Sequence, residues 1–338
     1  MTTSELNHFR EVLIDRNKLL LDWIDSPAAN DESQVSLVQD LLGQVRDALG
    51  RIETKTYGGC QAEGCNDEVE IQRLEVQPVS ELCFDCLSKE QRTLLEQEMF
   101  LASKIHRALL PQTIPQIEGF DVAVKSIAAQ AVGGDYFDFL PESGKSSTRV
   151  VIADSMGKGM PAGLLMSNFQ GALRILAEDI AAPGALVTRL NQWLTRNVPV
   201  TKFITLICLR LENPSAKITD FTYANAGHFP GITISADGSV AKLEATGSVM
   251  GVHEEFEFEE QRARLGPGDL ALLYTDGVTE ASGPDGEMFE ESRLVDHLLA
   301  HRTDSSADLI DGLLSEVSRF SQKNRLEDDL TVIALRKK

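Results

Sequence analysis

The sequence predicts an α+β fold: a sandwich-like domain whose sheets carry helices, preceded by a helical hairpin. Three observations lead there. Apolar residues recur at helical spacing through residues 5 to 24 and again through 34 to 55. Six alternating apolar runs occupy the chain from about residue 120, namely FDVAVKSIAA, RVVIADSM, FITLICLRLE, KITDFTYANAG, LALLYTDG and LTVIALR. Helical segments at about 161–178 and 183–197 interrupt them. With 42% hydrophobic and 25% charged residues, a chain of 338 residues can bury a full core.

The first helix places Leu6, Phe9, Leu13, Leu20, Trp23 and Ile24 on one face, and the second places Val38, Leu41, Leu42, Val45, Leu49 and Ile52. Between them DSPAANDES reads as a short turn, which makes the helices antiparallel neighbours. A hairpin of two such helices needs support from a second copy or from the segment C-terminal to it. Residues 87–110, LSKEQRTLLEQEMFLASKIHRALL, form a third helical stretch stopped by Pro111. Leu94, Leu101 and Ala108 recur every seven, flanked by Leu95, Ala102 and Leu109. That pattern suits a dimeric coiled-coil linker or a helix packed on its own chain. The expected domains are a hairpin at 1–56, a finger at 57–90, a linker helix at 91–111 and a large domain at 112–338.

A net charge of −20 argues against nonspecific binding to nucleic acid or anionic lipid, both of which need basic surface, and favours cations and protein partners. No apolar run approaches 18 residues and MTTSELNHFREVL is charged from its start, so a cytoplasmic protein without membrane association is expected.

Four of the five cysteines fall in YGGCQAEGCNDEVEIQRLEVQPVSELCFDCL. Cys60 and Cys65 form one close pair, Cys83 and Cys86 another, the arrangement a tetrahedral structural zinc site requires. Cys208 lies mid-strand without a glycine-rich anion loop and reads as core. A helical hairpin leading into TYGGC, then IQRLEVQP and LCFDCL, resembles the DksA/TraR family of zinc-finger transcription regulators over roughly residues 1–90. That family usually has two residues within its first cysteine pair where this chain has four. Asp22 and Asp25 lie near the hairpin tip.

Aspartates stand beside small residues at several strand ends: Asp135 in AVGGDYFDFL, Asp154 in VVIADSMGKG, Asp276 in LLYTDGV, and Asp328 and Asp329 in LEDDLTVIAL. Converged in one domain they would form a cage of hard oxygen ligands suited to Mg²⁺ or Mn²⁺. Two such ions can align a water-derived nucleophile with a phosphorus centre. Gly133 and Gly134 would let the chain pass close to an ion that Asp135 helps hold. Asp138 would face away from Asp135 in a regular strand. Gly157, Lys158 and Gly159 can make an oxyanion-binding turn or a tight strand-to-helix turn. His228 in NAGHFP can donate a proton to a leaving alkoxide or brace its loop.

VGGDYFDF, ADSMGKGMPAGLLMS, YANAGHFP, LLYTDGVTEA and EDDLTVIAL, in that order, resemble the motifs of the SpoIIE-type branch of the PPM metal-dependent serine/threonine phosphatases, from about residue 96 to 338. The resemblance implies a PPM-type β-sandwich flanked by helices and a site of two Mn²⁺ or Mg²⁺ ions. It implies Asp135, Asp154, Asp276 and Asp328 as catalytic metal ligands, the carbonyl of Ser155 as a further ligand, and Asp329 as the alternative to Asp328. It also implies a phosphorylated partner protein as substrate, such as an anti-sigma-factor antagonist. The hairpin, with one structural zinc ion, is then a regulatory or dimerisation module. The competing expectation is a DksA/TraR-like protein binding RNA polymerase, with an inactive phosphatase-like scaffold.

Overall fold

The computed structural model describes residues 3–26, 32–142, 144, 146–198, 201–323 and 326–338. The centre of the DSPAANDES turn, residues 27–31, lies outside them. The chain divides into two compact units, Met1–Met99 and Phe100–Lys338.

In the first unit α1 (Thr3–Ile24) and α2 (Glu32–Glu53) form the hairpin. Phe9 and Leu13, early in α1, pack with Val45, Ala48 and Ile52, late in α2, so the helices run antiparallel as expected. The same cluster takes in Tyr57, Val69, Leu74 and Val79 around α3 (Ile71–Val76), so hairpin and finger share one core. Arg51 fastens them further, pairing with Glu81 and donating to the Val79 carbonyl at 3.2 Å. The boundary between the units falls within α4 (Lys89–Leu109). Leu94, Leu101 and Ile105 on that helix are all more than half exposed.

The second unit begins with β1 (Phe120–Ile127), β2 (Asp135–Pro141) and β3 (Ser147–Ser155), then α5 (Gly159–Asp179) and α6 (Pro183–Asn197). β4 (Ile204–Glu212), β5 (Thr219–Ala226), β6 (Gly231–Ile234), β7 (Val240–Leu243), β8 (Gln261–Leu265) and β9 (Leu270–Tyr274) come next. α7 (Asp276–Thr279), α8 (Glu290–Ala300), α9 (Ser306–Ser321) and β10 (Leu330–Lys337) complete it. Among the described residues they form two antiparallel five-stranded sheets, ordered β1-β10-β9-β6-β7 and β2-β3-β4-β5-β8.

Strand alternation sorts the side chains into layers. Along β3, Val150 and Ile152 point between the sheets towards Leu273, Ile333 and Leu335, whereas Val151 and Ala153 point outward to Phe169 and Leu173 of α5 and Leu190 of α6. The outer face of the other sheet is covered by Leu294 and Leu298 of α8 and Leu309, Leu313 and Val317 of α9. With both faces covered, the central strands read as continuous apolar runs such as VVIA. At one end of this sandwich β2 begins opposite the end of β3, with Asp135 paired to Asp154, and β9 ends opposite the start of β10. Four chain segments thereby deliver their terminal residues to one place.

Candidate active site

The cavity at that end holds about 240 Å³ and is lined by Asp154, Ser155, Lys158, His228, Asp276 and Asp328, with Met156, Phe203 and Phe229 as its apolar wall. Asp135 is not part of this lining; it pairs with Asp154 at the start of β2 and is 4% exposed. Its Oδ2 accepts the Thr275 hydroxyl at 2.8 Å, and its Oδ1 is buried with no hydrogen-bond partner among the described residues. Burial, and then the charge of Asp154, drive its pKa well above the usual carboxylate range. Burial pushes Asp154 up to about 8, aided by Asp276, Asp328 and Asp329. Asp276 rises to about 6 from burial and then from Asp328 and Glu280. Crowded, desolvated carboxylates with an orphaned oxygen are the electrostatic complement of hard cations, so the donor set fits Mg²⁺ or Mn²⁺. Among the described residues these oxygens are not all within 4.8 Å of one another, as the thiols of the finger are. A pair of ions about 3.5–4 Å apart does not require it, because donors to different ions need not touch.

The two neighbouring aspartates play separate parts. Asp328 lines the cavity; its Oδ2 is 2.8 Å from Lys158 Nζ and its Oδ1 accepts the Asp329 N–H at 2.9 Å. Asp329 turns into the protein, where Oδ1 accepts the Ala129 N–H at 2.7 Å and Oδ2 the Gly134 N–H at 2.5 Å. This explains the glycine pair differently from the sequence expectation. A Cβ on Gly133 would stand 2.7 Å from Asp329 Oδ2, and one on Gly134 2.8 Å from Ser155 Oγ. The close approach observed here is to the Asp329 carboxylate and to Ser155.

Lys158 also donates to the Glu327 carbonyl at 2.7 Å, which commits its amine to the Asp328 segment. Gly157 and Gly159 have φ of 104° and 69°, so DSMGKG is a tight strand-to-helix turn that needs glycine for its geometry. His228 is buried, with Nε2 3.1 Å from the Tyr274 carbonyl and Nδ1 2.8 Å from Thr205 Oγ1. A carbonyl only accepts, so Nε2 carries the proton and Nδ1 accepts from the threonine hydroxyl. Burial lowers its pKa to about 4, leaving a neutral ring that braces its loop. Asp138 faces away, as strand alternation requires, and is held by Arg174 Nε at 2.8 Å and by the Tyr136 hydroxyl. Cys208 is core, its thiol pushed up to about 12 by burial.

Sequence reasoning missed Thr275 and Thr205, whose hydroxyls bond Asp135 and His228. It also missed His106, a buried ring that bonds the Gly133 carbonyl. The signal available was a hydroxyl at an inward position of an otherwise apolar strand, as in LLYTDG.

In the first unit Cys60, Cys65, Cys83 and Cys86 hold their sulfur atoms within 4.8 Å of one another. Cys65 and Cys83 are 3.8 Å apart, and the Cys83 N–H donates to Cys60 Sγ at 3.2 Å. Four soft donors in one tight group fit a tetrahedral site for a thiophilic ion.

A two-sheet sandwich flanked by helices, with carboxylates gathered at one end, defines the class: a PP2C-type phosphatase domain. The SiaA PP2C domain of Pseudomonas aeruginosa superposes with a TM-score of 0.65 at 18% identity, covering 74% of this chain and 99% of that one. The family description "Stage II sporulation protein E (SpoIIE)" matches residues 144–338, and the chain belongs to that family. The phosphoserine phosphatase RsbU of Bacillus subtilis (strain 168) is 32% identical over 245 residues, 72% of this chain and 71% of that protein. The N-terminal region is similar to the RNA polymerase-binding transcription factor DksA of Buchnera aphidicola subsp. Schizaphis graminum, 32% identical over 89 residues, 25% of this chain and 58% of that protein. The chain is therefore a phosphatase of SpoIIE type fused to a DksA-like hairpin with a cysteine cluster.

Proposed function

We propose that this enzyme hydrolyses phosphoserine or phosphothreonine on a partner regulatory protein, such as an anti-sigma-factor antagonist, in the cytoplasm. The observation that carries this reading is the convergence of Asp154, Asp276 and Asp328 from distant segment ends on one cavity, with Asp135 paired to Asp154 and its Oδ1 buried without a hydrogen-bond partner among the described residues. In this reading those four carboxylates and the Ser155 carbonyl hold two Mn²⁺ or Mg²⁺ ions. Such ions supply the Lewis acidity that makes water nucleophilic near neutral pH. Asp329 holds the Ala129–Gly134 loop, Lys158 offsets the charge of Asp328, and His228 fixes the β5–β6 turn against the end of β9. Met156, Phe203 and Phe229 restrict water at the mouth.

The phosphoserine reading rests on the 32% identity to a protein named a phosphoserine phosphatase, and the regulatory partner on the resemblance of the motifs. One zinc ion in the four-thiol cluster completes the first unit, which serves as a regulatory or dimerisation module. The exposed Leu94, Leu101 and Ile105 of α4 supply a seam for a second copy. The test is phosphate release from a phosphoseryl peptide by the full chain with Mn²⁺. Expected is Mn²⁺-dependent turnover that Asp276→Asn abolishes; turnover unchanged in that variant would refute the assignment.

A further inference from the structure

We infer that Thr275 is a positioning residue whose hydroxyl turns Asp135 so that Oδ1 faces the divalent ions, an inference that rests on the ligand role proposed above for Asp135. The device is built into the end of the β9–β10 ladder. Tyr274 pairs with Val332, and one residue further the Thr275 N–H donates to the Thr331 carbonyl at 3.0 Å. In a regular antiparallel pair the Thr331 N–H would return that bond to the Thr275 carbonyl. Here it donates instead to Thr275 Oγ1 at 2.9 Å. The Thr275 carbonyl has left the ladder and accepts the Val278 N–H at 3.2 Å, opening α7. The hydroxyl replaces the carbonyl in the sheet.

That replacement fixes the direction of a proton. Oγ1 already accepts from the Thr331 amide, so its single O–H is free to donate, and it points to Asp135 Oδ2 at 2.8 Å. With Oδ2 held, the carboxyl group cannot rotate without breaking a buried hydrogen bond, and Oδ1 has no partner among the described residues; the Thr331 hydroxyl is a second group that acts on this acid. No other arrangement at position 275 does both tasks: valine neither accepts from the amide nor donates to the acid, and only serine preserves both. The device also links the start of α7, where Asp276 sits, to the Asp135 carboxyl group, so that one threonine bears on both acids. Ser126 Oγ lies 2.9 Å from Thr331 Oγ1, extending the hydroxyl chain to β1.

The test uses the full chain with its zinc retained and reads Mn²⁺ binding directly, by electron paramagnetic resonance of the free ion, beside Mn²⁺-dependent phosphate release and thermal melting. Thr275→Val is expected to weaken Mn²⁺ binding by about 10- to 100-fold, the usual effect of losing a group that orients a ligand. Its turnover should recover at raised Mn²⁺. Thr275→Ser should bind within a few-fold of the parent. If the valine chain loses its cooperative melt, Thr275→Ala carries the same comparison. A lowered melting temperature with unchanged Mn²⁺ affinity would overturn the proposal by showing a structural role only, and so would a serine variant as impaired as valine. A parent that binds Mn²⁺ but releases no phosphate sinks the phosphatase reading and leaves this inference to the binding data. A parent that binds no Mn²⁺ sinks both.

Discussion

Cys60, Cys65, Cys83 and Cys86 come from one short stretch of chain, and their sulfurs gather within 4.8 Å. Asp135, Asp154, Asp276 and Asp328 come from segment ends spread across most of the second unit; Asp154, Asp276 and Asp328 line a cavity of about 240 Å³, and Asp135 pairs with Asp154 on the neighbouring strand. The thiols sit in a finger whose apolar support is a small cluster borrowed from the hairpin. The carboxylates sit at the rim of a sandwich that already has three apolar clusters of its own. The difference teaches where an ion matters for folding and where it matters for chemistry. A finger with few buried residues of its own would depend for structure on an ion held by those thiols. A sandwich with a complete core can hold mutually repelling carboxylates in place and leave an ion to relieve them.

The two regions should part most sharply at Asp276 and Cys83. Asp276→Asn is expected to lower Mn²⁺-dependent phosphate release by at least about 10³-fold, the upper end for loss of one contact made at the transition state. Because it removes a charge from a repelling group, its melting temperature without added divalent ion should equal or exceed the parent's. Cys83→Ser is expected to do the reverse. It should release zinc and lose the protection of amides around Tyr57, Val69 and Leu74, while hydrolysis of a small aryl phosphate stays within a few-fold of the parent. Hydrogen exchange and zinc analysis check the first arm, steady-state kinetics the second. Catalysis collapsing in Cys83→Ser would erase the proposed division of labour.

The same contrast governs how far the two regions were legible in the sequence. The thiol pairs announce themselves by spacing, because ligands close in sequence meet without help from the fold. The strands of the sandwich were legible where both faces are covered, as in VVIA of β3 and LALLY of β9. They were not where a strand is short or at an edge. β6 and β7 are four residues each, and QRARL of β8 is exposed along most of its length, so no apolar alternation marks it. α8 and α9 do have a helical period in Leu294 and Leu298, then Leu309, Leu313 and Val317, but no motif drew attention to them. In the site, each aspartate was visible as an acid ending an apolar run. The choice of Asp328 over Asp329 rests on resemblance alone, since both precede β10, where strand alternation gives no direction. The partners of Thr275, Thr205 and His228 lie on other segments, so their hydrogen bonds were not legible, although a His228 that braces its loop is one of the two sequence readings.

Asp329 gives the next test. Its carboxylate satisfies two backbone N–H groups, those of Ala129 and Gly134. Asp329→Ala strands both; the buried Gly134 donor costs about 1–3 kcal/mol and the part-buried Ala129 donor less, so a loss of about 2–4 kcal/mol in urea unfolding is expected. Asp328→Ala strands only the part-buried Asp329 N–H and at the same time relieves repulsion on Asp154 and Asp276, so its stability should fall by less than that of Asp329→Ala while Mn²⁺-dependent turnover is lost. Equal destabilisation by both variants would mean that the two neighbours share one role.

The smallest expected effect is in pH. In the folded chain without added divalent ion Asp154 is raised to about 8 and Asp276 to about 6, first by burial, whereas in the unfolded chain both titrate near the ordinary value of about 4. Between pH 4 and 8 the folded state therefore binds more protons than the unfolded state, so the contribution of these groups to stability falls as pH rises through that window. A divalent ion competes with those protons and restores the loss, and it does so most where the carboxylates are most fully ionised. The rise in melting temperature on adding Mn²⁺ should thus be larger at pH 8 than at pH 6, by about 2–4 °C if the net difference is near 1 kcal/mol after solvent screening. The same increment measured in Asp154→Asn should lose most of this pH dependence. In Cys83→Ser it should keep it, because the thiol cluster lies in the other unit and takes no part in that titration.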